Sequence, residues 1–548
     1  MKKNILYIIF CVLSVCTTAC MDDKTNLEYK DIILPDSVMI TDLRTGNEYY
    51  LSSTYNPIFT VTLGSELQLD ANVKYKGDDE LSYEWRIDFE TVSSEKNLRY
   101  LVTEKHDYAY LVIHRKNAQN ATLYSFSIKV HNRWTSGIAI LGTQNGKTQF
   151  DFVERYWHEE NVEWGSTVVP NFTLIEYIGY ENIYPTFNNG EELPGNHPVK
   201  IDRVVGATSS ISSFQILDKE WSNSIAIDKE TMKKTVQMKD EFIASPPNFE
   251  PVNFVSVGKT SVIQDKSGKL YTRVNYDRGN PNTGRFTDQP IMYTNPDNNQ
   301  LVEVIEATDI ISKGYLALIY EKSKKRILAW ATGPNNIEYS QFFNLERPTN
   351  AGNLPANYAN LNNFDKELIA LLAPASPIYE NYFIIYKDND KYYLQSFTFK
   401  LRYYTEPFTL TYTAVNNIEL SSDICKLLDK GNNQFYVNYS SKTYQDDIFF
   451  SAGNEIYQMS TDGKTVKRVC RFNDKNKITQ LIITSTWYDE TWNGWQRYFN
   501  GRVLAAAFDD GDMYVIRLYD DPSAIITNQI ETWCYKHYDG GVQSMIFF

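Results

Sequence analysis

Histidine is scarce in this chain: six in 548 residues, at His106, His114, His131, His158, His197 and His537. None stands in an HExxH or HxH arrangement, so the zinc-protease pattern is missing. His158-Glu159-Glu160 comes nearest, lacks a second histidine at helical spacing, and reads as a surface loop. There is no GxSxG, no serine in a nucleophile setting and no glycine-rich phosphate loop. Basic residues are in deficit, 54 Lys and Arg against 68 Asp and Glu. Without a basic stripe the chain is not expected to bind nucleic acid. With so many acids, no single carboxylate pair stands out as a glycosidase pair. No catalytic residue, metal site or cofactor motif is expected. Beyond the first 20 residues no stretch is apolar enough to span a bilayer, and none has sustained helical periodicity.

What is present starts at the N terminus. Lys2 and Lys3 precede an apolar run from Ile5 to Val15, of the length of a secretory signal and short of a membrane span. Thr17-Thr18-Ala19-Cys20 follows and resembles the lipobox of bacterial lipoproteins, with Thr17 where Leu is usual. The resemblance implies acylation of Cys20 and a mature chain that starts there. Several acyl chains anchor stably, at about 0.8 kcal/mol per buried CH₂. Asp22 and Asp23 come directly after and resemble the acidic export signal of Bacteroidetes lipoproteins, which implies the outer face of the outer membrane. Losing Lys2 and Lys3 would make a net charge of −14 more negative still, which suits solubility at a cell surface. Cys11 and Cys16 would leave with the leader. Cys425, Cys470 and Cys534 would remain, too few and too scattered for a disulfide framework or zinc pattern, with free thiols expected and one pair possible.

Aromatic residues make up 14% of the chain, with 40 Tyr, and occur in short β-branched runs broken by Gly, Asn and Asp. This predicts an all-β protein. Ser65 to Tyr75 alternates with period two, as a strand packed on one face does. In Leu81-Ser-Tyr-Glu-Trp-Arg-Ile, Trp85 sits mid-strand after a polar turn, the place for a buried central indole. Tyr124, Phe126 and Ile128 share one face of another strand. The Tyr83-Glu84-Trp85 strand and the Tyr124 to Val130 strand resemble a PKD domain, and the arrangement is similar to the PKD-like family of Bacteroidetes surface lipoproteins. The family pairs one such domain with a long β-rich region.

From about Gly137 onward one unit recurs: an apolar strand, a turn of Gly, Asp, Asn or Lys, and a second strand with Tyr, Trp or Phe. Instances begin at Gly137, Phe214, Thr260, Leu316, Tyr382, Asp447 and Val503. The spacing, roughly 50 to 75 residues, accommodates about four strands per repeat, as in propeller blades. The reading is therefore a leader over 1–19, an acylated Cys and tether over 20–34, an Ig-like (PKD-like) β-sandwich over 35–134, and a β-propeller of about seven blades over 135–548. A run of several sandwiches is the alternative for the last region.

Two acidic turns have a binding and a plain reading. Asp509-Asp510-Gly511-Asp512 has calcium-like chemistry but reads as a hairpin tip. Ser460 to Thr465 is similar to part of the sialidase Asp-box but has Val466 where an aromatic is expected, and reads as a turn. The expected contact surface is Ser485 to Arg502, where Trp487, Tyr488, Trp492 and Trp495 lie among polar and turn residues. Tyr156, Trp157 and Trp164 form a second aromatic group. The family resemblance implies a non-catalytic accessory subunit of a nutrient uptake system. Its partners would be a TonB-dependent outer-membrane transporter with its lid lipoprotein, and its cargo an oligosaccharide or oligopeptide. A divergent propeller glycoside hydrolase or lyase and a surface adhesin are the alternatives.

Overall fold

The computed structural model describes residues 34–547, apart from 53–55, 79, 117–120, 165–166, 206–210, 245, 247, 275–283, 295–300, 305, 334–339, 375–380, 403–407, 441–444, 486–501, 519–524 and 527–531. The protein is all-β, with two short α-helices among the described residues. Its contacts divide it after His131 into two compact units.

The first unit is built from two sheets. One runs, in spatial order, Asn47–Leu51, Ser37–Asp42, Glu66–Lys74, Leu98–Leu101; the other runs Ile58–Thr62, Ala121–His131, Ala109–Arg115, Leu81–Ile87, Glu90–Ser93. Alternation decides which side chains go inside. In Ser37–Asp42 every second residue is buried, and Val38 and Ile40 meet Leu111, Ile113 and Phe126 in one core. Trp85 is fully buried there, edge-on to Phe126, and its indole N–H donates to the Glu95 carbonyl at 3.1 Å. The hydrogen bond satisfies the one polar atom that burying the indole would otherwise strand.

Among the described residues of the second unit the recurring hairpins become seven sheets of three or more strands, beside a two-stranded ribbon of Met292–Thr294 and Leu301–Glu303. Six have four antiparallel strands as their main body, and the third has three. The sixth also pairs Val466–Phe472 in parallel with the short Ile525–Ile526. The sheets are propeller-like in their sequence of contacts. Each begins with a strand that touches the beginning strand of the next: Pro198–Val205, Pro251–Val257, Ala307–Lys313, Glu367–Leu372, Phe435–Ser440 and Ile478–Ser485. In the first sheet that place belongs to the last strand of the chain, Val542–Phe547, which pairs with Gly137–Gln144 and touches both Ile478–Ser485 and Pro198–Val205.

The cores lie between successive sheets. Leu316, Leu318 and Ile327 of the fourth pack on Leu371, Ile384 and Tyr386 of the fifth, and Phe449 and Ile456 of the sixth on Leu504 and Phe508 of the seventh. A sheet covered on both faces needs apolar residues at successive positions, not alternate ones. Leu316–Glu321 and Arg326–Thr332 are buried at every position. Turn chemistry agrees: Asn145 and Gly146 have φ of 52° and 69°, the left-handed pair a two-residue hairpin demands. The helix Ser422–Leu428 was not expected. Ser421 caps it by accepting from the Ile424 N–H, and Ile424 and Leu428 bury its inner side.

Candidate ligand-binding site

The beginning strands of the second to sixth sheets line a cavity of about 660 Å³, inside the size range of small-molecule sites, roughly 300–1,000 Å³. Its charge comes mainly from Pro198–Val205. Ile201 and Val204 are buried, while Lys200, Asp202 and Arg203 reach the cavity. Lys200 serves the framework: its ammonium donates to Asn253 Oδ1 at 2.6 Å and to the Phe254 carbonyl at 2.9 Å, and lies 3.2 Å from Asp202. Arg203 is exposed, with Nη1 3.4 Å from the Phe547 carbonyl, while its own carbonyl accepts from Ser256 Oγ at 2.9 Å. Lys313, also exposed, stands at the end of Ala307–Lys313. Burial holds Lys229 below the usual lysine range, and the positive charge of Arg203 acts in the same direction, against Glu230. Burial raises the Tyr436 phenol, against the charge of Arg203.

Among the described residues the lining thus has three cations and one carboxylate, Asp202, with the hydroxyls of Ser256, Ser312, Tyr315 and Tyr436. Gly258, at φ 55°, allows the Tyr315 ring close: a Cβ there would meet Tyr315 Cδ1 at 2.6 Å. No histidine or cysteine lines the cavity among the described residues, and no group of three or more His, Cys, Asp or Glu could hold a metal among them.

Cys20, Asp22 and Asp23 lie outside the described residues, as do Trp487, Tyr488, Trp492 and Trp495. Tyr156, Trp157 and Trp164 belong to the strand Lys147–Trp164, but their side chains lie outside the described set. His158-Glu159-Glu160 is in that strand too, paired in turn with Thr173, Phe172 and Asn171, rather than in a loop. Asp510 and Asp512 flank a hairpin turn and both engage Lys475. Burial works against the Asp512 charge, yet Lys475 and His537 hold its carboxyl below the usual range. Ser460 to Thr465 is a turn held by Ser460 Oγ and Asp462. Cys425, Cys470 and Cys534 are all free thiols.

Arg203 and Lys313 were not singled out from the sequence. Arg203 lies within Pro198–Val205 and Lys313 ends Ala307–Lys313, and nothing local marks either. A surface cluster in the first unit was missed as well. Phe89 is 67% exposed at φ 71°, with Tyr108 and Tyr110 rings at 5.0 and 6.1 Å. Asp88 holds the neighbouring loop by accepting from the backbone N–H groups of Asp107 and Tyr108.

A model of the PKD-like family matches residues 20–196. No curated protein matches the chain. Among solved structures, a quinonprotein alcohol dehydrogenase-like protein from Bacteroides thetaiotaomicron is 11% identical, with 93% of this chain and 96% of that chain covered and a TM-score of 0.37. A DUF4784 family protein from Bacteroides caccae is 9% identical, with 80% and 96% covered and a TM-score of 0.30. Prp20p from Saccharomyces cerevisiae is 11% identical, with 72% and 87% covered and a TM-score of 0.31. At these TM-scores the likenesses carry no argument about fold or function.

Proposed function

We propose that this is a lipoprotein tethered through Cys20 to the outer face of the outer membrane. It captures a small extracellular ligand and works, without catalysis of its own, beside a TonB-dependent transporter and its lid lipoprotein. The first unit is read as an Ig-like, PKD-like sandwich that spaces or docks. The second is read as a seven-bladed propeller closed by its own last strand, with the cavity on its axis. The lipobox-like Thr17 to Cys20, the following Asp22 and Asp23, and the PKD-like family match support the address.

The observation that carries the binding reading is the cavity lining. Side chains from five sheets converge on one space, and Asp202, salt-bridged to Lys200, is the single carboxylate among the described lining residues. Glycoside hydrolysis in its usual form uses two carboxyl groups at a set separation. A cation-bearing cavity with one neutralised acid suits holding a ligand better than cleaving it.

The test is co-purification from gently solubilised outer membrane. The affinity tag belongs in the exposed Gly431-Asn432 turn, since Phe547 ends a strand that touches the cavity wall. The expected result is a barrel and a lid lipoprotein at near-equal amounts, lost on Cys20→Ala. Recovery of the protein alone would refute the subunit reading.

A further inference from the structure

We propose that the first unit carries a platform for a neutral oligosaccharide of flat pyranose rings, formed by Phe89, Tyr108 and Tyr110. The platform lies wholly within the first unit and does not depend on the reading of the cavity. Its first support is strain. Asp88 and Phe89 make the turn between Leu81–Ile87 and Glu90–Ser93, at φ 48° and 71°. Asn-Gly suits such a turn, and a bulky residue at that φ is strained. The core gains nothing in return, because the Phe89 ring is 67% exposed and its ring neighbours are Tyr108 and Tyr110. Strain kept at an exposed aromatic ring points to a role outside folding.

The second support is ring geometry. In the core of this unit Trp85 and Phe59 stand edge-on to Phe126, at 76° and 82°. On the surface the Phe89 plane is tilted by only 38° from Tyr108 and 36° from Tyr110, so the three faces form a shallow strip. The negative face of an aromatic ring attracts the polarised C–H bonds on the flat side of a sugar. The strip is also held in place. Asp88 accepts from the Asp107 and Tyr108 N–H groups and pairs with His106 at 2.8 Å, and His106 Nε2 lies 3.2 Å from Tyr100 Oη. A surface fixed before binding has less ordering cost to meet.

The third support is the polar border. Tyr110 stands opposite Arg86 in the strand register. Arg86 is held two-pronged by Glu84, Nε to Oε1 at 2.8 Å and Nη2 to Oε2 at 3.0 Å, and His114 Nε2 lies 2.9 Å from the same carboxylate. The pair cancels its own charge, so the border does not select an ionic ligand. It leaves Arg86 Nη1, His114 Nδ1 and the Tyr108 and Tyr110 hydroxyls without a hydrogen bond among the described residues. Ring faces edged by neutral donors and acceptors match a pyranose, apolar on its face and hydroxylated around its rim.

Calorimetric titration of the intact protein tests this, with cellohexaose, mannohexaose, hexagalacturonate and hexalysine as probes. At least one neutral hexasaccharide should bind, with little response to added salt. Phe89→Gly and Tyr108→Ala should each weaken it by about tenfold, the order expected for losing one stacked ring. Phe89→Trp should retain it. Phe89→Gly also relieves the turn, so its melting temperature should not fall and its loss of binding is not a loss of fold. Ser312→Trp, which fills the cavity of the second unit, should leave binding of the neutral sugar unchanged. Binding that survives both Phe89→Gly and Tyr108→Ala overturns the inference, and its loss in Ser312→Trp instead assigns the sugar to the cavity. Tighter binding of hexagalacturonate or hexalysine than of either neutral sugar, or no binding of any probe, also overturns it.

Discussion

The second unit joins residues from opposite ends of its chain, and Asp151 is where that junction can be tested. Its carboxylate is buried in the strand Lys147–Trp164. It accepts from Tyr538 Oη at 2.6 Å, from the Asn182 N–H at 2.7 Å, from Gln149 Nε2 at 2.8 Å, and from the Lys536 ammonium. Burial first, and the Asp151 charge next, push the Tyr538 phenol well above its ordinary range, so it stays a neutral donor. Asp151→Ala leaves the Lys536 ammonium, whose side chain is 11% exposed, with the 72%-exposed Glu181 at 3.7 Å as its one acidic partner among the described residues. It also strands the Tyr538 hydroxyl. Removing one partner of a buried pair costs about 3–5 kcal/mol, and a stranded buried hydroxyl costs about 1–3 kcal/mol. The two overlap, so a loss of about 4 kcal/mol is expected from urea unfolding. Faster amide exchange should appear first in Gly137–Gln144 and Val542–Phe547. Asp151→Leu combined with Lys536→Met removes both charges and should recover much of the loss. A loss below about 1 kcal/mol for Asp151→Ala would refute the view that this cluster holds the junction.

Three further outcomes follow from other parts of the chain. Phe89→Gly should raise stability by about 1 kcal/mol, because a bulky residue at φ 71° bears left-handed strain that glycine does not; a comparable loss in urea unfolding would count against it. Hydrogen bonds from Arg86, then Thr91 and His114, lower the Glu84 carboxyl from 4.5 to about 2. A depressed folded value means the stabilisation is present above pH 4.5 and is lost as pH falls towards 2. Glu84→Gln should therefore flatten the acid limb of a stability profile in that window, and an unchanged limb would contradict the assignment. Burial pushes the Cys470 thiol up to about 12 and, with the nearby Asp151 charge, Cys534 up to about 11. Both should resist iodoacetamide in the native protein and react after unfolding, with mass spectrometry finding no disulfide; rapid native alkylation of Cys470 would overturn this.

Strand content, the hairpin positions and the buried Trp85 were legible because each rests on local chemistry. Period-two alternation places Val38 and Ile40 inside, and Asn145-Gly146 selects its turn through left-handed backbone. The hairpins starting near Gly137, Phe214, Thr260, Leu316, Tyr382, Asp447 and Val503 fall one in each of the seven sheets of three or more strands in the second unit. The Ser422–Leu428 helix escaped notice although Ser421 and Asp423 gave it a start signal, because its short apolar pattern cannot be told from a strand by periodicity.

By itself, then, the sequence determined an all-β chain of recurring hairpins, with apolar runs dense enough to require cover on both faces of each sheet. Those properties depend on neighbours a few residues apart. The tertiary structure alone decided that Val542–Phe547 joins Gly137–Gln144, that Asp151 meets Lys536 and Tyr538, and that Arg203 and Lys313 face one cavity. Strand pairing between chain ends and the convergence of separate sheets depend on how the sheets pack, and no local pattern encodes which distant partner a residue will meet.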